Sequence, residues 1–167
     1  MAQESAENMP QLVKGGKYVF GWSIISGDGR ILIPDEARLE YQLNSGERVI
    51  IISGSKTSGG FSISRKPVIE QSRLSNILVR NPDLAEFRFE EGKTINIGGK
   101  SMCWTTILDN GQLLLTPHIL EAYGVKLGAH LLVGRGSYVG LGMVVKGPIV
   151  EEARNHPEIA IFIPGAV

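Results

Sequence analysis

Hydrophobic positions along this chain come in short runs broken by glycine-bearing turns, and the order of runs predicts the elements. Residues 17–26 predict a strand entering a turn at Gly27-Asp28-Gly29. Ile31, Leu32 and Ile33 predict a short strand that Pro34 closes. Pro34 also opens a helix, because proline suits the first turn and Asp35 and Glu36 complement the positive end of the helix dipole. Leu39 and Leu43, four residues apart, predict its buried stripe, and Asn44-Ser45-Gly46 ends it. Val49 to Ile52 predicts a strand and Gly54 to Gly60 a loop. Phe61, Ile63 and Arg65 alternate with Ser62 and Ser64 as a last strand. The predicted order is β-β-α-β-β.

The same order returns about 82 positions later. Ile107 runs into Asp109-Asn110-Gly111, Leu113–Leu115 predicts a strand, and Pro117 opens a helix through Tyr123. A strand at Leu131–Val133, a loop at Gly134–Gly142 and a strand at Met143–Lys146 follow. Trp22, Gly29, Pro34, Tyr41, Gly46 and Gly60 meet Trp104, Gly111, Pro117, Tyr123, Gly128 and Gly142, with one residue inserted before Pro117 and one lost after it. Outside the core, Asn81-Pro82-Asp83-Leu84-Ala85-Glu86-Phe87 matches His156-Pro157-Glu158-Ile159-Ala160-Ile161-Phe162. Ile69, Leu74, Ile77 and Leu78 predict a helix over 68–80, with a shorter counterpart at 149–155. Residues 84–97 predict strand and turn, bending at Glu90-Glu91-Gly92-Lys93. Three segments follow: a disordered lead at 1–10, a first repeat with its extension at 11–89, and a second at 90–167. Two copies are too few for a solenoid and imply a fused pseudo-dimer about a pseudo-two-fold axis.

Composition narrows the class. The chain is 43% hydrophobic and 20% charged, enough to bury a core, and its 21 glycines with 7% aromatics favour turns and strands. Zero net formal charge argues against strong nonspecific nucleic-acid affinity. The charge is uneven, however: residues 11–89 hold eleven Lys/Arg against eight Asp/Glu, and residues 90–167 hold six against seven. Seven arginines lie in the first repeat and two, Arg135 and Arg154, in the second. The lone Cys103 sits beside Trp104 in an apolar run and predicts a buried structural thiol rather than a disulfide. No stretch approaches the ~20 apolar residues of a membrane helix, and the polar start with Glu4 and Glu7 is unlike a signal peptide. A cytoplasmic chain with no membrane partner is expected.

Gly29-Arg30-Ile31-Leu32-Ile33-Pro34, then Glu36-Ala37-Arg38, then Leu43-Asn44-Ser45-Gly46-Glu47-Arg48-Val49, resembles the swapped-hairpin domain of AbrB, SpoVT and MazE-type regulators. The resemblance covers about 45 residues of the first repeat and, more weakly, as many of the second. It implies a mainly β fold with short helices, in which duplicated β-β-α-β-β repeats close into one swapped-hairpin barrel. It also implies double-stranded DNA as partner, in a transcriptional-regulator role, bound through basic residues on the two-fold face. In this chain those are Arg30, Arg38, Arg48, Lys56, Arg65 and Lys66. Arginine's planar fork suits phosphate and guanine edges. The second repeat departs from the pattern: Gln112 stands at the position of Arg30 and His130 at that of Arg48. The first repeat is therefore the expected DNA-reading half, and a homodimer would present two such faces.

Other chemistry is weaker. Gly98-Gly99-Lys100-Ser101 has the end of a phosphate-binding loop, but Thr94 stands where the motif needs glycine, so a tight turn is expected. His118, His130 and His156 lack metal-ligand spacing, and neither a metal nor a cofactor is expected. Asp28 and Asp109 occupy equivalent turns and suit turn geometry better than catalysis. No nucleophile elbow is present, and no enzyme activity is expected. The loop around Tyr138, Val139 and Leu141 is apolar and predicts either an exposed partner contact or packing against Ile159–Ile163. The rival to DNA binding is thus a non-enzymatic module that kept the fold, lost DNA affinity and takes a small molecule or protein.

Overall fold

The computed structural model describes residues 11–13, 17–136 and 139–165. The predicted lead at 1–10 and Tyr138 lie outside the described residues. The first repeat gives β1 (Gln11–Val13), β2 (Lys17–Ile24), β3 (Arg30–Leu32), α1 (Asp35–Tyr41), β4 (Arg48–Ser53) and β5 (Phe61–Ser64). Its extension gives three short helices, α2 (Lys66–Glu70), α3 (Ser75–Arg80) and α4 (Pro82–Ala85). The second repeat gives β6 (Ile95–Ile97), β7 (Lys100–Thr106), a 3-10 turn at Asp109–Gly111, β8 (Gln112–Leu114), α5 (Pro117–Tyr123), β9 (His130–Arg135) and β10 (Gly140–Val144). It ends in α6 (Pro148–Ala153) and β11 (Ile161–Phe162).

The pairing shows how the copies combine. One large sheet runs β1-β2-β9-β10-β5-β4-β7-β6, with β11 parallel to β2, and β3 pairs with β8 as a separate ribbon. Strands of one copy pair with strands of the other. Trp22 faces Leu132 as Trp104 faces Ile50, and Ile24 faces His130 as Thr106 faces Arg48. Ile31 faces Leu113, its own counterpart, so the pseudo-two-fold axis passes through that pair. The second hairpin is two residues shorter than the first, because Phe61 faces Ser53 whereas Leu141 faces Arg135. Gly60 and Gly142, which match along the sequence, are therefore displaced in space.

The expectation of a mainly β, closed swapped-hairpin barrel is overturned. The fold is mixed α/β, and the strands form an open path with no closure found among the described residues. The reason lies in the extensions. One face of the sheet packs the ribbon and the helices α1 and α5 in a core containing Ile31, Ile33, Ala37, Leu113, Leu115, Ile119 and Tyr123. The other face is covered too: α2, α3 and α4 bring Ile69, Leu78 and Leu84 onto Ile50, Ile52 and Met102. There α6 brings Val150 and Ala153 onto Val19 and Leu132. Val49 to Ile52 are all buried, as a continuous apolar run requires when both faces of a strand are covered.

Local expectations meet mixed outcomes. Gly98 and Gly99, at φ 58° and 85°, form the two-residue turn between β6 and β7, where positive φ at both positions favours glycine. Leu43 is buried, but Leu39 is 80% exposed, because the short α1 turns Ala37 rather than Leu39 inward. The helix expected over 68–80 is broken between α2 and α3. Ser72 makes the break: its hydroxyl donates to the Ile69 carbonyl and accepts from the Leu74 amide, bonds that compete with helix continuation. Of the strand and turn expected over 84–97, residues 84–85 belong instead to the helix α4, and the strand is β6 at Ile95–Ile97.

Candidate functional site

The β3–β8 ribbon crosses the pseudo-two-fold axis between two equivalent turns. Ser26, Gly27 and Asp28 on one side and Leu108, Asp109 and Asn110 on the other border a cleft of about 640 Å³ with Arg30 and Gln112. Arg30 opens β3 next to that turn, faces Leu114 across the ribbon, and is half-exposed. Its Nη1 donates to Gln112 Oε1 at 3.4 Å, and its Nε lies 3.5 Å from Asp28 Oδ2. The Asp28 carboxyl is held low, first by the Ser26 hydroxyl and also by the Arg30 amide and charge. Gln112, at the position where the first repeat has arginine, is buried. The two aspartates and Arg30 line one cleft, and among the described residues no group of three or more His, Cys, Asp or Glu could hold a metal ion.

The other candidate cations go to different places. Arg38 on α1 bonds Asp35 and lies against Gly111, where any side chain would occupy the space of its guanidinium. Its Nε is buried without a partner. Arg48 opens β4 and places its guanidinium 5.4 Å from the Trp104 ring centre and 5.5 Å from that of Phe87. Lys66 bonds Glu86 at 3.2 Å and lies 6.0 Å from the same Phe87 ring. Arg65 donates to Gln42 Oε1 at 3.3 Å, in a second cleft that Glu40 and Arg135 also line. Lys56 is exposed on the loop between β4 and β5. The structure thus brings Arg48 and Lys66 together around Phe87, but it spreads the six cations over several surfaces.

Val139 and Leu141 are not an exposed contact. Leu141 is fully buried in the main core, and Val139 packs with Ile50, Ile52 and Ile69 on the other face. The expected loop is largely strand, since β9 and β10 reach into it and leave a short connection. A bonded group around Arg135 carries no signal in the sequence. Its Nε and Nη2 donate to Glu40 at 2.6 and 2.7 Å, and its guanidinium stacks 4.6 Å from the Tyr18 ring centre. No local pattern could have shown it, because the partners belong to different repeats.

No family model matches the chain, and no curated protein matches it. The solution structure of PHS018 from Pyrococcus horikoshii is similar at 14% identity, over 78% of this chain and 97% of that one, with a TM-score of 0.35. Among the described residues no helix is long and apolar enough to cross a membrane.

Proposed function

We propose that this protein binds double-stranded DNA in a transcriptional-regulator role, as a cytoplasmic protein, with the β3–β8 ribbon as its reading element and Arg30 as its principal contact. The observation that carries this is the position of Arg30: half-exposed, on a two-stranded ribbon, one register step from the pseudo-two-fold axis. A two-stranded ribbon fits the major groove, and arginine is the commonest reader of guanine there. Asp28 does not forbid this, because exposed ion pairs are worth only about 0–1 kcal/mol and a phosphate or base can replace one. The first repeat alone supplies the arginine, so a chain homodimer would present two such sides. Tight binding by a monomer would remove the homodimer.

A second function is favoured by a specific observation. Arg38, Arg48, Arg65 and Lys66 already have internal partners. That suits a non-enzymatic module that kept the fold and takes another ligand. Titration of duplex DNA across a range of salt separates the two. A phosphate-contacting protein weakens with a log–log slope of about 0.9 per phosphate neutralised. Arg30→Ala should then cost about 1–3 kcal/mol of binding. No binding at low salt would leave the module, and an unchanged affinity in Arg30→Ala would exclude that residue.

A further inference from the structure

The duplication supplies an internal comparison that bears on a site apart from the ribbon. In one half, Trp104 is 9% exposed, because neighbours cover it. The Phe87 ring meets it at 5.4 Å and 62°, the Phe89 carbonyl accepts from its indole Nε1 at 2.9 Å, and the Arg48 guanidinium lies over it at 5.4 Å. Arg48 reaches that place because it opens β4, one strand from Trp104 and two register steps along.

The other half keeps the platform and lacks the cation. Trp22 occupies the equivalent position on β2, and His130 opens β9 where Arg48 opens β4. Trp22 is only half-buried, and among the described residues no ring or cation lies against its indole. His130 is exposed and has no side-chain bond to any described residue. In place of the arginine is a cleft of about 570 Å³ lined by Trp22, His130, Arg154, His156, Ile159 and Ile161. Phe162, the motif counterpart of Phe87, does not close it: Ile161 is the residue paired with Trp22, while the Phe162 ring lies against Gly21. Two of the basic residues that line it, Arg154 and His156, are already bonded to carboxylates. Arg154 is bonded to Glu151 at 2.7 Å, and His156 is held between Glu152 at 3.0 Å and Glu158 at 2.9 Å.

We propose that this cleft binds the guanidinium of an arginine side chain presented by another polypeptide, with Trp22 as the stacking face. Stacking on indole is the interaction the first half makes with its own Arg48, and Glu151, Glu152 and Glu158, bonded to Arg154 and His156, offset the charge of those two lining residues. Ile161, which is 56% exposed and lines the cleft, offers apolar surface for the residue beside that arginine.

The test follows the two indole N–H signals by NMR in the full chain. The probes are a blocked Ala-Arg-Ala peptide and, as a free guanidino compound, agmatine. The peptide should shift the Trp22 signal saturably and leave the Trp104 signal in place. His130→Arg gives this half the arrangement of the other, so it should weaken peptide binding by about tenfold or more without lowering the melting temperature. An unmoved Trp22 signal at about 10 mM peptide would overturn the site. So would equal affinity in folded His130→Arg. Agmatine binding as tightly as the peptide would overturn the polypeptide source and leave a small guanidino ligand.

Discussion

Tyr123 shows what one buried polar atom does here. Its hydroxyl donates to the Ile51 carbonyl at 2.8 Å and meets the Cys103 sulfur at 3.5 Å, tying α5 to two strands of the sheet. Burial pushes the Cys103 thiol up to about 11, and burial likewise raises the Tyr123 hydroxyl, so both stay protonated at neutral pH. Tyr123→Phe should destabilise the fold by about 1 kcal/mol, read from denaturant unfolding, since it removes one buried hydrogen bond and keeps the ring. Native Cys103 should resist a thiol reagent at pH 8 and react on unfolding; rapid native labelling would contradict its burial. The apolar run around Cys103 made that burial legible in the sequence. The pairing with Tyr123 was not legible, because the two lie on different elements.

At the scale of elements, helices were hardest to foresee where a hydroxyl competes with the backbone, as at Ser72, or where a helix is too short for a stripe, as at Leu39. The segment joining α6 to β11 shows another kind of local order. His156 bridges Glu152 on α6 and Glu158 on the approach to β11, with His130 and Arg154 lining the same cleft. Its pKa is raised from 6.5, chiefly by Glu152 and then by Glu158. Glu158 is lowered from 4.5, first by its own backbone amide and then by His156. A raised histidine stabilises fully below pH 6.5 and loses that contribution as pH rises through its folded value. A lowered carboxyl stabilises above pH 4.5 and loses that contribution as pH falls through its folded value. The bridge is therefore strongest between these limits. The fall in melting temperature caused by His156→Gln should be larger at about pH 5.5 than at about pH 9. An equal fall at both would show that the bridge adds nothing electrostatic.

For the whole molecule, the repeat was legible because turn residues, prolines and tryptophans recur at one spacing. The outer layers were not, because they depend on which face each extension helix covers. The large sheet exchanges strands between copies: β2 pairs with β9, β4 with β7 and β5 with β10, while the ribbon joins β3 to β8. Among the described residues, the strand pairs that remain within the first repeat are β1–β2 and β4–β5, and within the second β6–β7 and β9–β10. Each half alone would expose both its ribbon strand and its share of the central core, which draws Ile31 and Phe61 from one copy and Leu113 and Met143 from the other. Isolated two-stranded hairpins are marginally stable in water. Residues 1–89 and 90–167 made separately should therefore show no cooperative thermal transition by circular dichroism. Co-expressed, they should associate one to one and regain the spectrum of the intact chain. A monomeric half that melts cooperatively would mean that the repeats are independent domains rather than two parts of one sheet.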